Sequence, residues 1–397
     1  MSRMKNALAL ALLAVLLAGA VVLSRQVFTA PYPGLNDFMS RWEGARSYWL
    51  DGLNPYSEPA NLNIQRRIYG RPALADEDPG YFAYPFYTTF LVWPLVYLPY
   101  DWASAVWLVL LAAALVGALV LQLDLAGWKP RPGWLALLIL GSLVIYYPAR
   151  GLLLGQPGLL VYLLQALALW ALSRRLDWLA GAALAVSTFK PQMGFLIVPL
   201  LLLWGMSHRR WRFLGVFAGA FGGLVLASFA LLPSWLGDWL AQIQLYPTYT
   251  ALGSPVWIIT RYYLGLGDWA EALAAAALVG GMLWAWCRML RHGESWLWTA
   301  ALTLTVTHLV APRTATPHYV VFTLPLIVVI RELVMRRGRW GSGWALVTLL
   351  ALLVLPWVHF LATVEGEFEH PTVYLPPPLL TLLALWVTRR RWPQEAR

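Results

Sequence analysis

From residue 84 almost to its C-terminal end, the chain is a series of long apolar runs separated by short clusters of basic residues. Runs of about 18 or more apolar residues predict helices across a lipid bilayer, where each backbone polar group must be satisfied within its own segment. Candidate spans, some a few residues shorter than that, lie near 84–123, 134–148, 152–173, 177–206, 212–232, 268–288, 295–311, 317–335, 341–361 and 374–388, with a further one at 6–23. Only 12% of residues are charged, and a soluble domain carries roughly twice that share. So few charges cannot coat two or three globular domains. The expected fold class is an all-α polytopic membrane protein, one integral membrane domain over 1–397.

The basic residues orient it. Lys129/Arg131, Arg174/Arg175, Arg209/Arg210/Arg212, Arg288/Arg291, Arg331/Arg336/Arg337/Arg339 and Arg389/Arg390/Arg391 fall on one side, with Arg3, Lys5 and Arg397. By the positive-inside rule that side is cytoplasmic, which puts both termini there and makes the crossing number even, about twelve. Two runs are too long for one crossing. Either 84–123 crosses once and 177–206 forms a hairpin around Lys190, or 84–123 crosses twice and 177–206 once. The first arrangement keeps Arg174 and Arg175 inside and is preferred. The net charge of +10 therefore reflects topology, and no nucleic-acid partner is expected. Cys287 is the only cysteine, which excludes an intramolecular disulfide and an iron–sulfur cluster.

Residues 25–83 are the one long polar stretch, a first non-cytoplasmic loop holding seven of the 19 acidic residues. Within it a helix is predicted over 38–50. Phe38, Trp42, Ala45 and Trp49 share one of its faces, the pattern of a helix lying in the membrane interface. Residues 61–69 predict a second. The other outer segments are rich in breakers, among them Pro148, Pro157, Pro191, Pro312 and the run Pro376–Pro378. Irregular backbone at membrane depth is tolerated where it lines a cavity or is buried in protein.

Four outer residues are candidates for chemistry. Asp37 opens the first interfacial helix. A carboxylate there can deprotonate a hydroxyl as a general base, and Asp is equally a favoured N-cap. Lys190, in Ser187-Thr-Phe-Lys-Pro191, is the one lysine away from the cytoplasmic side. A cation at that depth can hold a lipid-linked phosphate or snorkel to the interface. Arg150 is a weaker cation of the same kind. His318 opens a span and can bind phosphate or orient a sugar. His308, His359 and His370 show no metal-ligand spacing, and the P-loop, dinucleotide-binding, HExxH and Gly-x-Ser-x-Gly patterns are absent. No metal site is indicated, although a divalent ion between Asp37 and a second outer carboxylate stays open.

Asp37-Phe38 followed by Gly52-Leu-Asn-Pro-Tyr56 resembles the first outer loop of glycosyltransferase family 87. Phe82-Ala-Tyr-Pro85 with Pro94-Leu-Val-Tyr-Leu-Pro99, then Gly155-Gln156, Phe189-Lys-Pro191, and Pro312 with His318-Tyr319, follow in the family's order from about residue 35 to 335. Phe86 stands where the family has a second proline, Gly158 where an Asn usually follows the Gly-Gln, and Ala311 where a Ser precedes the proline. The resemblance implies a GT-C fold and an inverting transferase in the plasma membrane, working on the non-cytoplasmic face. The implied donor is a polyprenyl-phosphate sugar, mannose or similar, and the acceptor a lipid or glycan, with no cofactor. It also implies Asp37 as catalytic base and His318 as a residue near the donor; the phosphate role of Lys190 and Arg150 rests on charge and depth. A transporter or lipid flippase is the rival reading. It requires paired broken helices in both halves, and no such internal symmetry is apparent.

Overall fold

A computed structural model describes residues 2–34, 36–249, 253–293, 295–336, 338–366 and 369–392. Arg337 and Arg397 of the basic clusters lie outside these. The described residues are helical, without a β-strand. Seven helical segments are long and apolar enough to cross a membrane: Ala11–Thr29, Tyr100–Leu125, Trp211–Leu231, Asp268–His292, Thr316–Met335, Arg339–Thr363 and Pro371–Arg391. An eighth is the pair Pro132–Val144 and Tyr146–Leu154, bent by 49°. Pro148 causes the bend, because its nitrogen cannot donate to the Val144 carbonyl and its ring crowds that group. The Trp357 indole donates to the orphaned carbonyl instead, at 2.9 Å.

Four shorter apolar helices complete the set: Gly158–Ser173, Asp177–Ser187, Ile197–Ser207 and Trp296–Val310. The run 84–123 forms one long helix, Tyr100–Leu125, preceded by the short Thr88–Val92 helix and a 3₁₀ turn at Trp93–Leu95. Pro94 and Pro99 explain the interruption. The run 177–206 divides into two helices of 11 residues. Each rises about 16 Å, roughly half of a 30 Å hydrocarbon core, and Lys190 occupies the break between them.

The chain forms two compact units. The first comprises Met1–Ala113, Leu152–Pro157 and Val225–Thr250; the second comprises Ala114–Gly151, Gly158–Leu224 and Ala251–Arg397.

In the first unit the Asn36–Trp49 and Glu58–Tyr69 helices lie against each other. Phe38, Trp42 and Ala45, expected to face lipid, are buried in protein. Phe38 stacks on Trp107 at 4.7 Å, and Trp42 meets the edge of Tyr100 at 5.2 Å while its indole donates to the Leu95 carbonyl at 2.9 Å. An apolar stripe marks a face that leaves water, and here the Tyr100–Leu125 helix covers it. Gly44 permits the close approach of the loop, since a Cβ there would stand 2.5 Å from the Phe82 ring. Glu43 is 2% exposed and accepts from Arg67 at 3.1 Å. Burial pushes its carboxyl upward, while Arg67 and Arg46 pull it back.

In the second unit, Gly158–Ser173 and Asp177–Ser187 form a tight hairpin, and Ile197–Ser207 turns sharply into Trp211–Leu231. Arg175 and Arg209, with φ of 57° and 53°, occupy the left-handed turn positions. At each, the next residue's N–H returns to a carbonyl five back, Leu176 to Ala171 and Arg210 to Gly205, both at 2.8 Å. This is the closure with which helices commonly end. Arg210 then donates to Asp177 at 2.9 Å and ties the two turns together.

Candidate functional site

Asp37 belongs to the first unit, in the first turn of the Asn36–Trp49 helix and one residue inside its start. The Gln156 side chain donates to its Oδ2 at 2.7 Å. Arg41, one turn on, donates to the Asp37 backbone carbonyl at 2.6 Å and stands 3.5 Å from Oδ1. Its guanidinium lies 4.3 Å over the Tyr84 ring. The carboxylate thus has one oxygen fixed by an amide and a guanidinium near the other, with 30% of the side chain exposed.

Phe38 anchors the same arrangement from behind. It stacks on Trp107, whose indole donates to the Gly155 carbonyl at 2.8 Å. Gly155 has a φ of 66° where the chain leaves the Tyr146–Leu154 helix, a conformation other residues rarely adopt. Asp37-Phe38 and Gly155-Gln156, distant in sequence, are therefore joined twice: carboxylate to amide, and ring to ring to carbonyl.

Lys190 and His318 come together in the second unit with His308, a residue that sequence spacing does not single out. Lys190 is 1% exposed, in the non-helical residue ahead of Pro191. Gln165 donates to the Met193 carbonyl at 2.9 Å and holds this turn against the Gly158–Ser173 helix. His308 sits in the last turn of Trp296–Val310, and His318 in the 3₁₀ segment Thr316–Phe322. Their rings are 5.7 Å apart, both are buried, and Lys190 lies within electrostatic range of both.

Each imidazole has one nitrogen engaged locally. His318 Nδ1 accepts the Ala315 N–H at 3.2 Å, and His308 Nδ1 is 3.3 Å from the Thr314 hydroxyl. The two Nε2 atoms are buried without a partner among the described residues. With Nδ1 accepting, a neutral His318 carries its proton on Nε2, so a donor is left unsatisfied. Gly158 fits against this ring: a Cβ there would meet His318 Cδ2 and Met193 Sδ at 3.0 Å. That crowding gives a steric reason for glycine in place of the Asn that usually follows the Gly-Gln.

Arg150 is placed elsewhere in the second unit. Its Nε stands 2.8 Å from the carboxylate of Glu369, which is 5% exposed. The same carboxylate accepts from Tyr146, from Thr316 at 2.6 Å and from Tyr374 at 2.7 Å. A carboxylate thus balances the Arg150 charge, and the cluster fixes Thr316, two residues before His318. Glu369 gives no signal in sequence, because Arg150, Tyr146 and Thr316 reach it from two distant segments and only Tyr374 is near it in the chain.

The described residues contain no group of three or more His, Cys, Asp and Glu side chains able to hold a metal ion. The sequence model of glycosyltransferase family 87 matches residues 82–312, more than half of the chain. No curated protein and no solved structure gives a significant match.

Proposed function

The chain belongs to glycosyltransferase family 87 and is a membrane glycosyltransferase; from that premise we propose that it moves a sugar from a polyprenyl-phosphate donor to a lipid or glycan acceptor, with inversion, on the non-cytoplasmic face. In this reading Asp37 takes the proton of the acceptor hydroxyl, whose oxygen attacks the anomeric carbon. The bond from that carbon to the phosphate oxygen breaks, and polyprenyl phosphate departs with the electron pair. Gln156 and Arg41 support Asp37 by orienting its carboxylate, as a general base requires. The described residues hold up to eight helices long enough to cross and four shorter apolar ones; the proposal of about twelve crossings, with both termini cytoplasmic, rests on the apolar runs and basic clusters of the sequence.

The observation that carries the donor assignment is the pair of buried, unpartnered imidazole nitrogens beside Lys190. A cation, the Nε2–H of His318 and the unpartnered Nε2 of His308 in a water-poor place suit a phosphate whose charge grows as the glycosidic bond breaks. Lys190 and His318 are the proposed phosphate ligands, with His308 behind them. Arg150, neutralised by Glu369, acts by holding the His318 segment. A lipid-linked donor also needs neither a nucleotide site nor a cofactor.

The test is turnover of a panel of polyprenyl-phosphate sugars by the purified protein in detergent, with a membrane-lipid extract as acceptor and released polyprenyl phosphate as readout. Release by the wild type that disappears in Asp37→Asn, with donor binding retained, supports transferase and base together. Equal release by both would remove Asp37 as the base. Donor binding without turnover by the wild type would overturn the proposed acceptor.

A further inference from the structure

The loop and helix at 56–81 and the Trp235–Tyr249 helix, all in the first unit, line an open cavity of about 500 Å³. Small-molecule sites occupy roughly 300–1,000 Å³. One wall carries Glu58, Asn61, Gln65 and Tyr81; the other carries Asp238 and Gln242, on one face of their helix. Gln242 is 5% exposed, yet its Nε2 has no partner among the described residues, and Asn61 Oδ1 is likewise buried and unpartnered. Buried amides are normally satisfied, so these two point to a ligand that both accepts and donates hydrogen bonds.

The lining narrows the ligand's chemistry. It contains two carboxylates and neither lysine nor arginine, which disfavours a phosphate or an anionic lipid headgroup. Asp238 already accepts from Asn54 and Ser234, each at 2.7 Å. Seven of the ten lining residues carry an amide, phenol or carboxylate beside apolar surface from Leu62, Ala241 and Leu245, a mixed wall that suits a sugar's polar rim and apolar ring face better than an acyl chain. A sugar, whose hydroxyls each donate and accept, matches this wall. One helical turn beyond Gln242, Tyr246 lies within electrostatic range of Asp37, Arg41 and Tyr84. The same helix therefore leads from the cavity towards the carboxylate.

We infer that this cavity is a carbohydrate subsite, holding a neutral sugar of the acceptor away from the hydroxyl that reacts. The inference rests on the transferase reading above and deepens it: the enzyme recognises acceptors carrying at least two sugars, one at Asp37 and one against Gln242.

The experiment measures binding separately from turnover. Full-length protein in lipid nanodiscs is titrated with mannobiose, maltose, cellobiose and xylobiose, with saturation-transfer NMR as readout. Gln242→Leu removes the unpartnered amide. Ala241→Trp, at an exposed position on the cavity rim, fills the space without disturbing buried packing. At least one disaccharide is expected to bind the wild type and to bind both variants about tenfold more weakly. Binding of none of the four, or equal binding by wild type and both variants, overturns the subsite. Donor turnover with disaccharide binding insensitive to both variants overturns the subsite alone. Disaccharide binding through Gln242 with no donor turned over overturns the proposed polyprenyl-phosphate donor and leaves the sugar site standing.

Discussion

The Gln156 amide donates a 2.7 Å hydrogen bond to Asp37, 119 residues away in the chain. Gln156 is itself buried and lies next to Gly155, whose carbonyl is held by Trp107. The amide orients the base without sharing its charge. Gln156→Leu is accordingly expected to lower kcat by about tenfold or more, since small misplacements of a catalytic group are costly. The donor KM should stay within about threefold, because Gln156 is not a proposed phosphate ligand. Steady-state kinetics over a donor series would check this. A changed KM at constant kcat would assign Gln156 to binding.

His308 offers a prediction that sequence spacing does not suggest. Its unpartnered Nε2 and its 5.7 Å approach to His318 place it with the phosphate group of residues. His308→Leu should raise the donor KM by about tenfold, the loss of one hydrogen bond to a charged group. Direct binding of a radiolabelled polyprenyl phosphate would show the same weakening. Unaltered affinity would make His308 a packing residue only.

Arg150 distinguishes a structural from a substrate role. Removing it leaves the buried Glu369 charge without its cation and with only Tyr146, Thr316 and Tyr374 donating to it, and breaking one side of a buried pair costs roughly 3 kcal/mol. Arg150→Leu is therefore expected to lower the thermal unfolding temperature in detergent clearly, while Lys190→Met changes it less. Donor affinity at a temperature where both variants are folded should fall in Lys190→Met and persist in Arg150→Leu. The reverse pattern would return the phosphate role to Arg150.

Gly158 tests how closely the second unit is fitted around His318. With only 3.0 Å to His318 and Met193, an added side chain must displace one of them. Gly158→Asn should cost roughly 1–3 kcal/mol of stability and reduce turnover through the moved imidazole. Thermal unfolding and kinetics together would check both effects. Full activity in this variant would show that the His318 ring position is not critical.

The sequence by itself determined the class of molecule. Long apolar runs and scarce charges left only membrane helices, and breakers such as Pro148 and Pro191 marked where they are interrupted: the bend at Pro148 and the gap that holds Lys190. The polar loop and the helix over 38–50 were legible too, observed as Asn36–Trp49, because hydrophobic periodicity works where one helix face is polar. Tertiary structure alone decided what faces what. It buried the Phe38–Trp42–Ala45 stripe against Trp107 and Tyr100, set Gln156 on Asp37, brought His308 beside His318, and gave Arg150 to Glu369. Helices apolar on every side carry no stripe to say which face meets protein and which meets lipid. Their pairings depend on shape and on single hydrogen bonds between distant residues, and those exist only once the chain is packed.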